Sequence, residues 1–201
     1  LGLMYENGRG VAINMAKAKE YYQQAAELGN SFAMNSIGSM FHYGKGTQKN
    51  SAAAYQYYSK AANLGNSAAM ANLGLLYESG EGSHKNLGKA YHYYTEASKA
   101  DNSLAHNNLG KLYYFGHGVT RNLDLAFKHF SIAANLENHV AQNNLALMYE
   151  KGEGIGKSLD KAKEHFTKAA RHGYQVAHLN YKRVVGTLSP TEIQQVSQTI
   201  Q

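Results

Sequence analysis

The sequence predicts an all-α protein: a right-handed α/α solenoid of antiparallel helix pairs, closed by a C-terminal capping helix. Three observations carry this. A ten-residue pattern returns every 36 residues; apolar residues inside each period recur at helical spacing; and Gly and Asn punctuate the period at fixed places. The pattern reads LGLMYENGRG at 1–10, IGSMFHYGKG at 37–46, LGLLYESGEG at 73–82, LGKLYYFGHG at 109–118 and LALMYEKGEG at 145–154. Small residues keep the same step. Ala18, Ala54, Ala90, Ala126 and Ala162 form one column, and Ala33, Ala69, Ala105, Ala141 and Ala177 another.

Each period resolves into two helices. Helix A is clearest in the third unit, where Ala69, Met70, Leu73, Leu76 and Tyr77 fall three and four apart. Gly74 interrupts that stripe and leaves room for a neighbouring backbone. Gly80 and Gly82 end the helix, since Gly adopts the left-handed conformation at least cost. Helix B then starts behind Asn14, Asn50, Asn86, Asn122 or Ser158, all residue types that cap helix N-termini. Ala90, Tyr94 and Ala97 carry its buried stripe. It ends at Gly29, Gly65 and Gly173, whereas Asp101 and Glu137 hold that place in the other units and predict turns of a different build.

One pair of short helices cannot bury its apolar face, but stacked pairs can, around one continuous core. The solenoid is assigned to residues 1–186, with a truncated first repeat and later repeats in step near 33, 69, 105, 141 and 177. Residues 187–201 are assigned to the capping helix. Ser189 is its N-cap, Pro190 suits its first turn and Glu192 completes a capping box. Ile193, Val196 and Ile200 form one apolar stripe. Leu1 enters in mid-helix without an initiator Met or a signal peptide, so a fragment with further upstream repeats is expected. Compartment and oligomeric state stay open, with exported, periplasmic and cytoplasmic locations all compatible.

These residues carry a family resemblance. LGxxYxxGxGV, an N-cap, then a helix with Ala, a Tyr pair and an Ala pair resembles the Sel1-like repeat family, a relative of the tetratricopeptide repeats. The best matches are Leu1 to Val11, Leu73 to Gly82 and Leu109 to Val119, with Tyr21-Tyr22, Tyr57-Tyr58 and Tyr93-Tyr94 in helix B. Thr47 and Ser83 replace the Val after the glycines, Ala146 replaces the first Gly, and His129 and His165 replace an aromatic residue. The resemblance implies a scaffold or adaptor that assembles other proteins, and no reaction. Bacterial members of this kind are often exported. One bacterial branch bears disulfides; the absence of Cys places this chain outside it.

The residues themselves argue against several chemistries. No apolar run approaches the roughly 18 residues of a membrane span. The Gly pairs join helix to helix with no preceding strand, so they are turns and not phosphate loops. Gly154-Ile155-Gly156-Lys157-Ser158 ends like a Walker A loop, but Lys151 stands where the first Gly belongs. No HExxH occurs, and His129 and His165 share a register with Tyr21, Tyr57 and Tyr93, so they read as aromatic substitutes and not metal ligands. Glu6, Glu78 and Glu150 share a register too far apart for a catalytic pair. Neither a metal, a cofactor nor an enzymatic activity is expected. The formal net charge is +6, with eight Lys/Arg against three Asp/Glu between Lys151 and Arg183. That basic end suits an acidic partner but is too mild for a nucleic-acid assignment.

A protein or peptide partner is expected on the helix-A face. One column there reads Ser36, Asn72, Asn108, Asn144 and Asn180; the adjacent one reads Asn35, Ala71, Asn107, Asn143 and Leu179. Each amide offers a donor and an acceptor, so such a ladder can grip an extended peptide backbone. By the tetratricopeptide resemblance this role passes to Asn72, Asn108 and Asn144, with Asn107 and Asn143 beside them. The same amides can instead brace neighbouring repeats, and both roles stay open. Side-chain specificity is assigned to columns that vary. Ser39, Leu75, Lys111, Leu147 and Arg183 form one; His42, Glu78, Tyr114 and Glu150 form another, with Tyr43 and Phe115 alongside. Tyr114 and Phe115 are expected to be exposed, because Tyr113 fills the core position. The alternative is a binder or regulator of cell-envelope glycan or muropeptide, resting on the same Tyr, His and Asn lining.

Overall fold

The computed structural model describes residues 1–187 and 189, and every regular element among them is an α-helix. A short α1 (Gly2–Asn7) precedes α2 (Met15–Glu27). Then follow α3 (Ser31–Tyr43), α4 (Ser51–Asn63), α5 (Ser67–Ser79), α6 (Leu87–Ser98), α7 (Ser103–Phe115), α8 (Leu123–Asn135), α9 (His139–Lys151), α10 (Leu159–Arg171) and α11 (Gln175–Val185). Odd-numbered helices are the predicted helices A and even-numbered ones the helices B. The chain forms two compact units, Leu1–Ala105 and the remainder from His106. Within the first, α1 packs on α2, α3 on α4 and α5 on α6, with α2 against α3 and α4 against α5. Within the second, α9 packs on α8 and α10, and α10 on α11.

The caps explain why the elements start where they do. Asn14, Asn50, Asn86, Asn122 and Ser158 each accept a hydrogen bond from the backbone N–H three residues on. Each such cap stabilises its helix by about 1 kcal/mol. A second set, unremarked in the sequence, caps helices A: Asn30, Asn66, Asn102 and Asn138 do the same. The backbone N–H of each helix-B cap also donates to the carbonyl of a helix-A aromatic residue, as from Asn86 to Tyr77 at 2.8 Å. That bond pins the A–B connection.

The helix-A glycines make room for rings. A Cβ on Gly38 would lie 2.6 Å from Tyr58, on Gly74 2.4 Å from Tyr94, and on Gly110 2.6 Å from Phe130. Gly74 therefore admits a side chain of its own helix pair, not the neighbouring backbone the sequence suggested. Close backbone approach occurs instead at Gly82 and Gly154, the second glycines of their pairs. A Cβ on Gly82 would stand 2.2 Å from the carbonyl oxygen of Ser51, and one on Gly154 2.7 Å from that of Leu123. Both contacts join consecutive repeats.

One expectation changes here. Asp101 and Glu137 do not build different turns. Their φ values of 49° and 61° sit in the left-handed region beside Gly65 at 81°. Glu137 N–H bonds to Ala134 and Asn138 N–H to Ala133, as Gly65 bonds to Ala62 and Asn66 to Ala61. The turn geometry is set by the packing of successive helices, and the non-Gly residues accept the strain. The helix assigned to 187–201 lies outside the described residues, apart from Thr187 and Ser189.

Each helix pair also carries a stacked ring pair: Tyr5–Tyr21, Phe41–Tyr57, Tyr77–Tyr93, Tyr113–His129 and Tyr149–His165. Their centroids are 5.6 to 5.8 Å apart. His129 and His165 thus occupy the ring position of a tyrosine.

Candidate functional site

The second unit carries a half-open cavity of about 810 Å³. Helical spacing explains its walls. In α7, Asn108, Lys111 and Phe115 lie on one face; in α9, Asn144, Leu147 and Lys151 repeat that face 36 residues on; in α11, Asn180 and Arg183 repeat it again. Val140 and Val176 line it from the first turns of α9 and α11. Tyr174 stands just before α11, and Phe130 of α8 also faces in.

The Asn ladder braces consecutive helices A. Asn144 Nδ2 donates to Asn107 Oδ1 at 3.1 Å, and Asn180 Nδ2 to Asn143 Oδ1 at 2.9 Å. The first unit repeats the bond, from Asn72 to Asn35 at 3.0 Å. Asn107, Asn108 and Asn143 are all buried. Asn108 differs: its Oδ1 accepts from Asn107 at 3.3 Å, but its Nδ2 has no partner.

Glu150 takes a partner that its register equivalents do not show. In α1 and α5, Glu6 and Glu78 accept from Tyr22 and Tyr94, sixteen residues later in helix B. Glu150 occupies the same register, but the residue sixteen on is Phe166, with no hydroxyl to offer. Glu150 forms a two-pronged ion pair with Arg183 instead. Beside it, Tyr114 Oη donates to Glu153 and accepts from Lys151 Nζ at 3.2 Å. Burial, reinforced by the Glu153 carboxylate, pushes the Tyr114 phenol above its ordinary range. The hydrogen bond to Tyr114 raises the Lys151 ammonium likewise.

Of the residues nominated from sequence, Asn107, Asn108, Lys111, Tyr114, Phe115, Asn143 and Asn144 line this cavity. Phe115 is exposed as expected. Tyr114 is not; it is half-buried, because Glu153 and Lys151 hold its hydroxyl. His42, Tyr43, Asn72 and Leu75 belong to the first unit. There Tyr43 is exposed, His42 packs edge-on against it at 4.4 Å, and burial lowers the His42 pKa. Phe130, Val140, Tyr174 and Val176 were not foreseen as lining residues. The available signal was an apolar residue at the second position of helices A, and Phe in place of Tyr at position 130. Among the described residues no group of three or more His, Asp or Glu is placed to hold a metal ion. No helix among them is long and apolar enough to cross a membrane.

Comparison with known proteins follows the repeat boundaries. The Sel1 repeat matches five times in succession, at residues 1–30, 31–66, 67–102, 103–138 and 139–174. No curated protein matches the chain. A Sel1 repeat protein from Oxalobacter formigenes is similar in structure, with 30% identity and a TM-score of 0.81 over 90% of this chain and 72% of that one. A protective antigen of uropathogenic Escherichia coli with a Sel1-like repeat fold shows 26% identity and a TM-score of 0.74 over 98% of this chain. This chain spans 44% of that antigen's length. Helicobacter pylori cysteine rich protein B shows 27% identity and a TM-score of 0.51, over 62% of this chain and 89% of that one.

Proposed function

The chain belongs to the Sel1 repeat family, whose members generally act as protein–protein interaction scaffolds, and on that premise we propose that it binds an extended peptide or protein loop on its helix-A face. The cavity of the second unit is the principal contact. What supports the reading is that seven residues nominated from the sequence line this one cavity. Its volume falls within the range of clefts that enclose a ligand. The wall offers both kinds of contact a peptide needs: amides for its backbone, and Leu147, Val140 and Val176 for its side chains.

The repeat is typically a non-enzymatic scaffold fold, and the proposed role is binding. The amides set the rigid spacing of α7, α9 and α11, while the variable column of Lys111, Leu147 and Arg183 sets specificity. Replacing the Asn residues is therefore a poor test, since it also breaks the brace. Leu147→Trp fills the cavity from a half-buried position, and Phe115→Ala removes an exposed ring at its rim. A partner captured by the wild-type chain from source-cell lysate should cross-link near Lys111 and Lys151. It should be lost with Leu147→Trp and weakened with Phe115→Ala, both variants keeping the wild-type helical signal. A protein partner retained by both variants, or cross-linked only elsewhere, overturns the reading. Capture of glycan in place of protein supports the envelope-ligand alternative.

A further inference from the structure

The charged groups of the cavity wall are matched within the chain. Arg183 and Glu150 hold each other in the two-pronged ion pair. Lys151 Nζ lies 3.2 Å from Tyr114 Oη and 3.9 Å from the Glu153 carboxylate, and Lys111 is engaged within the chain. Asn107 uses its carbonyl oxygen on Asn144 and its amino group on Asn108. Asn108 Nδ2 and Arg183 Nε have no partner, but both are sealed inside the wall, beyond a ligand's reach. What the wall offers a ligand is therefore chiefly apolar. Val140 and Leu147 of α9 and Val176 and Leu179 of α11 line the cavity and are half-buried. Val140 and Leu147 lie two helical turns apart, about 10 Å along α9. Asn144 stands between them and commits only its Nδ2 to the brace, which leaves its Oδ1 to a peptide N–H.

Resting on the peptide-binding reading above, we propose that the cavity selects an uncharged stretch of extended peptide that seats two aliphatic or aromatic side chains, one against Val140 and Val176 and one against Leu147. An extended chain covers about 10 Å in about three residues, so the two anchors fall roughly two to four positions apart. Burial of their apolar surface supplies the attraction. A charged side chain entering the cavity would lose its hydration and find the wall's own ions already paired. Acid and base are therefore disfavoured alike, and binding of this kind is insensitive to salt.

The test is a library of random dodecapeptides displayed on phage, selected on the purified chain and counter-selected on Leu147→Trp. The expected result is enrichment of paired Leu, Ile, Val or Phe at that spacing, with Asp, Glu, Lys and Arg depleted between them. Synthetic copies of the enriched peptides should bind roughly tenfold more weakly when either anchor becomes Ala. Their affinity should change by less than about twofold between about 50 and 200 mM salt. Val176→Ala should weaken binding several-fold with the helical signal unchanged, which keeps the test open should Leu147→Trp disturb the fold. Enrichment of acidic or basic sequences that depend on Leu147 and weaken with salt overturns the uncharged specificity and leaves the peptide site standing. Affinity unaffected by loss of either anchor does the same. Absence of any enrichment that depends on Leu147 or Val176 overturns both.

Discussion

His106 and His129 meet through their Nδ1 atoms, 3.0 Å apart, with the His129 ring stacked on Tyr113. One ring must donate and the other accept, so at least one of them is neutral. Burial, with the neighbouring His106 and Lys128, pushes the His129 pKa down to about 4. In the other unit the corresponding places hold Met70 and Tyr93, an apolar pair with no titration near neutrality.

Stability should therefore depend on pH in a stated direction. The unfolded chain protonates His129 near pH 6.5, the folded chain only near 4. Between those values unfolding takes up a proton, so stability falls as the pH drops from about 6.5 toward 4. The loss approaches about 1.4 kcal/mol per pH unit where the difference is one full proton. Burial lowers His42 and His165 in the same sense. Urea melts across that range should show the slope, and the double variant His106→Met with His129→Tyr should reduce it. An unchanged slope would show that the pair does not titrate as its geometry requires.

Replacing Glu137 with Gly should stabilise the chain. Glu137 carries φ of 61°, a conformation that costs a non-Gly residue about 1–2 kcal/mol, while Gly gives back part of that in unfolded-chain entropy. A net gain of about 0.5–1 kcal/mol is expected by denaturant titration. A loss would mean that the Glu137 side chain contributes more than its backbone costs.

The Gly–ring contact predicts a coupled pair. Gly74→Ala places a Cβ against the Tyr94 ring, and overpacking of this kind costs about 1–3 kcal/mol. Tyr94 is also tethered to Glu78 at 2.6 Å, so its ring cannot slide away. Where Ala146 naturally replaces the glycine, its ring partner is Phe166, which has no such tether. Gly74→Ala should therefore cost less in a Tyr94→Phe background, with a coupling of at least about 0.5 kcal/mol. Strict additivity in the four-member cycle would remove the tether from the explanation.

The amide brace predicts coupling between repeats. Asn144→Ala strands the Asn107 carbonyl oxygen and should cost about 1 kcal/mol. Asn107→Ala should cost a similar amount, and the double variant markedly less than their sum. If the pair proves additive, the 3.1 Å bond adds nothing to repeat stacking.

Much of this was legible in the chain. The 36-residue period, the helix-B caps and the stacked place of His129 and His165 follow from local rules: capping chemistry, helical spacing and recurrence. The columns that meet in the cavity were legible as columns. Register says which residues share a face, and the stack converts a shared face into a wall. The left-handed turns at Asp101 and Glu137 were misread because residue preference was allowed to decide a backbone angle that packing decides. The His106–His129 contact was invisible because its members sit on two helices, 23 residues apart.

By itself the sequence determined the repeat, its helices and the face on which a partner is expected, because each rests on contacts within one turn or one period. Only the tertiary structure decided where on that face a cavity opens and how its polar groups are matched. Whether an amide finds a partner, or a glutamate meets a tyrosine or an arginine, depends on a side chain brought close by packing. In Glu150 the two meet: Phe166 removes a hydroxyl sixteen residues away, and Arg183, thirty-three away, takes its place.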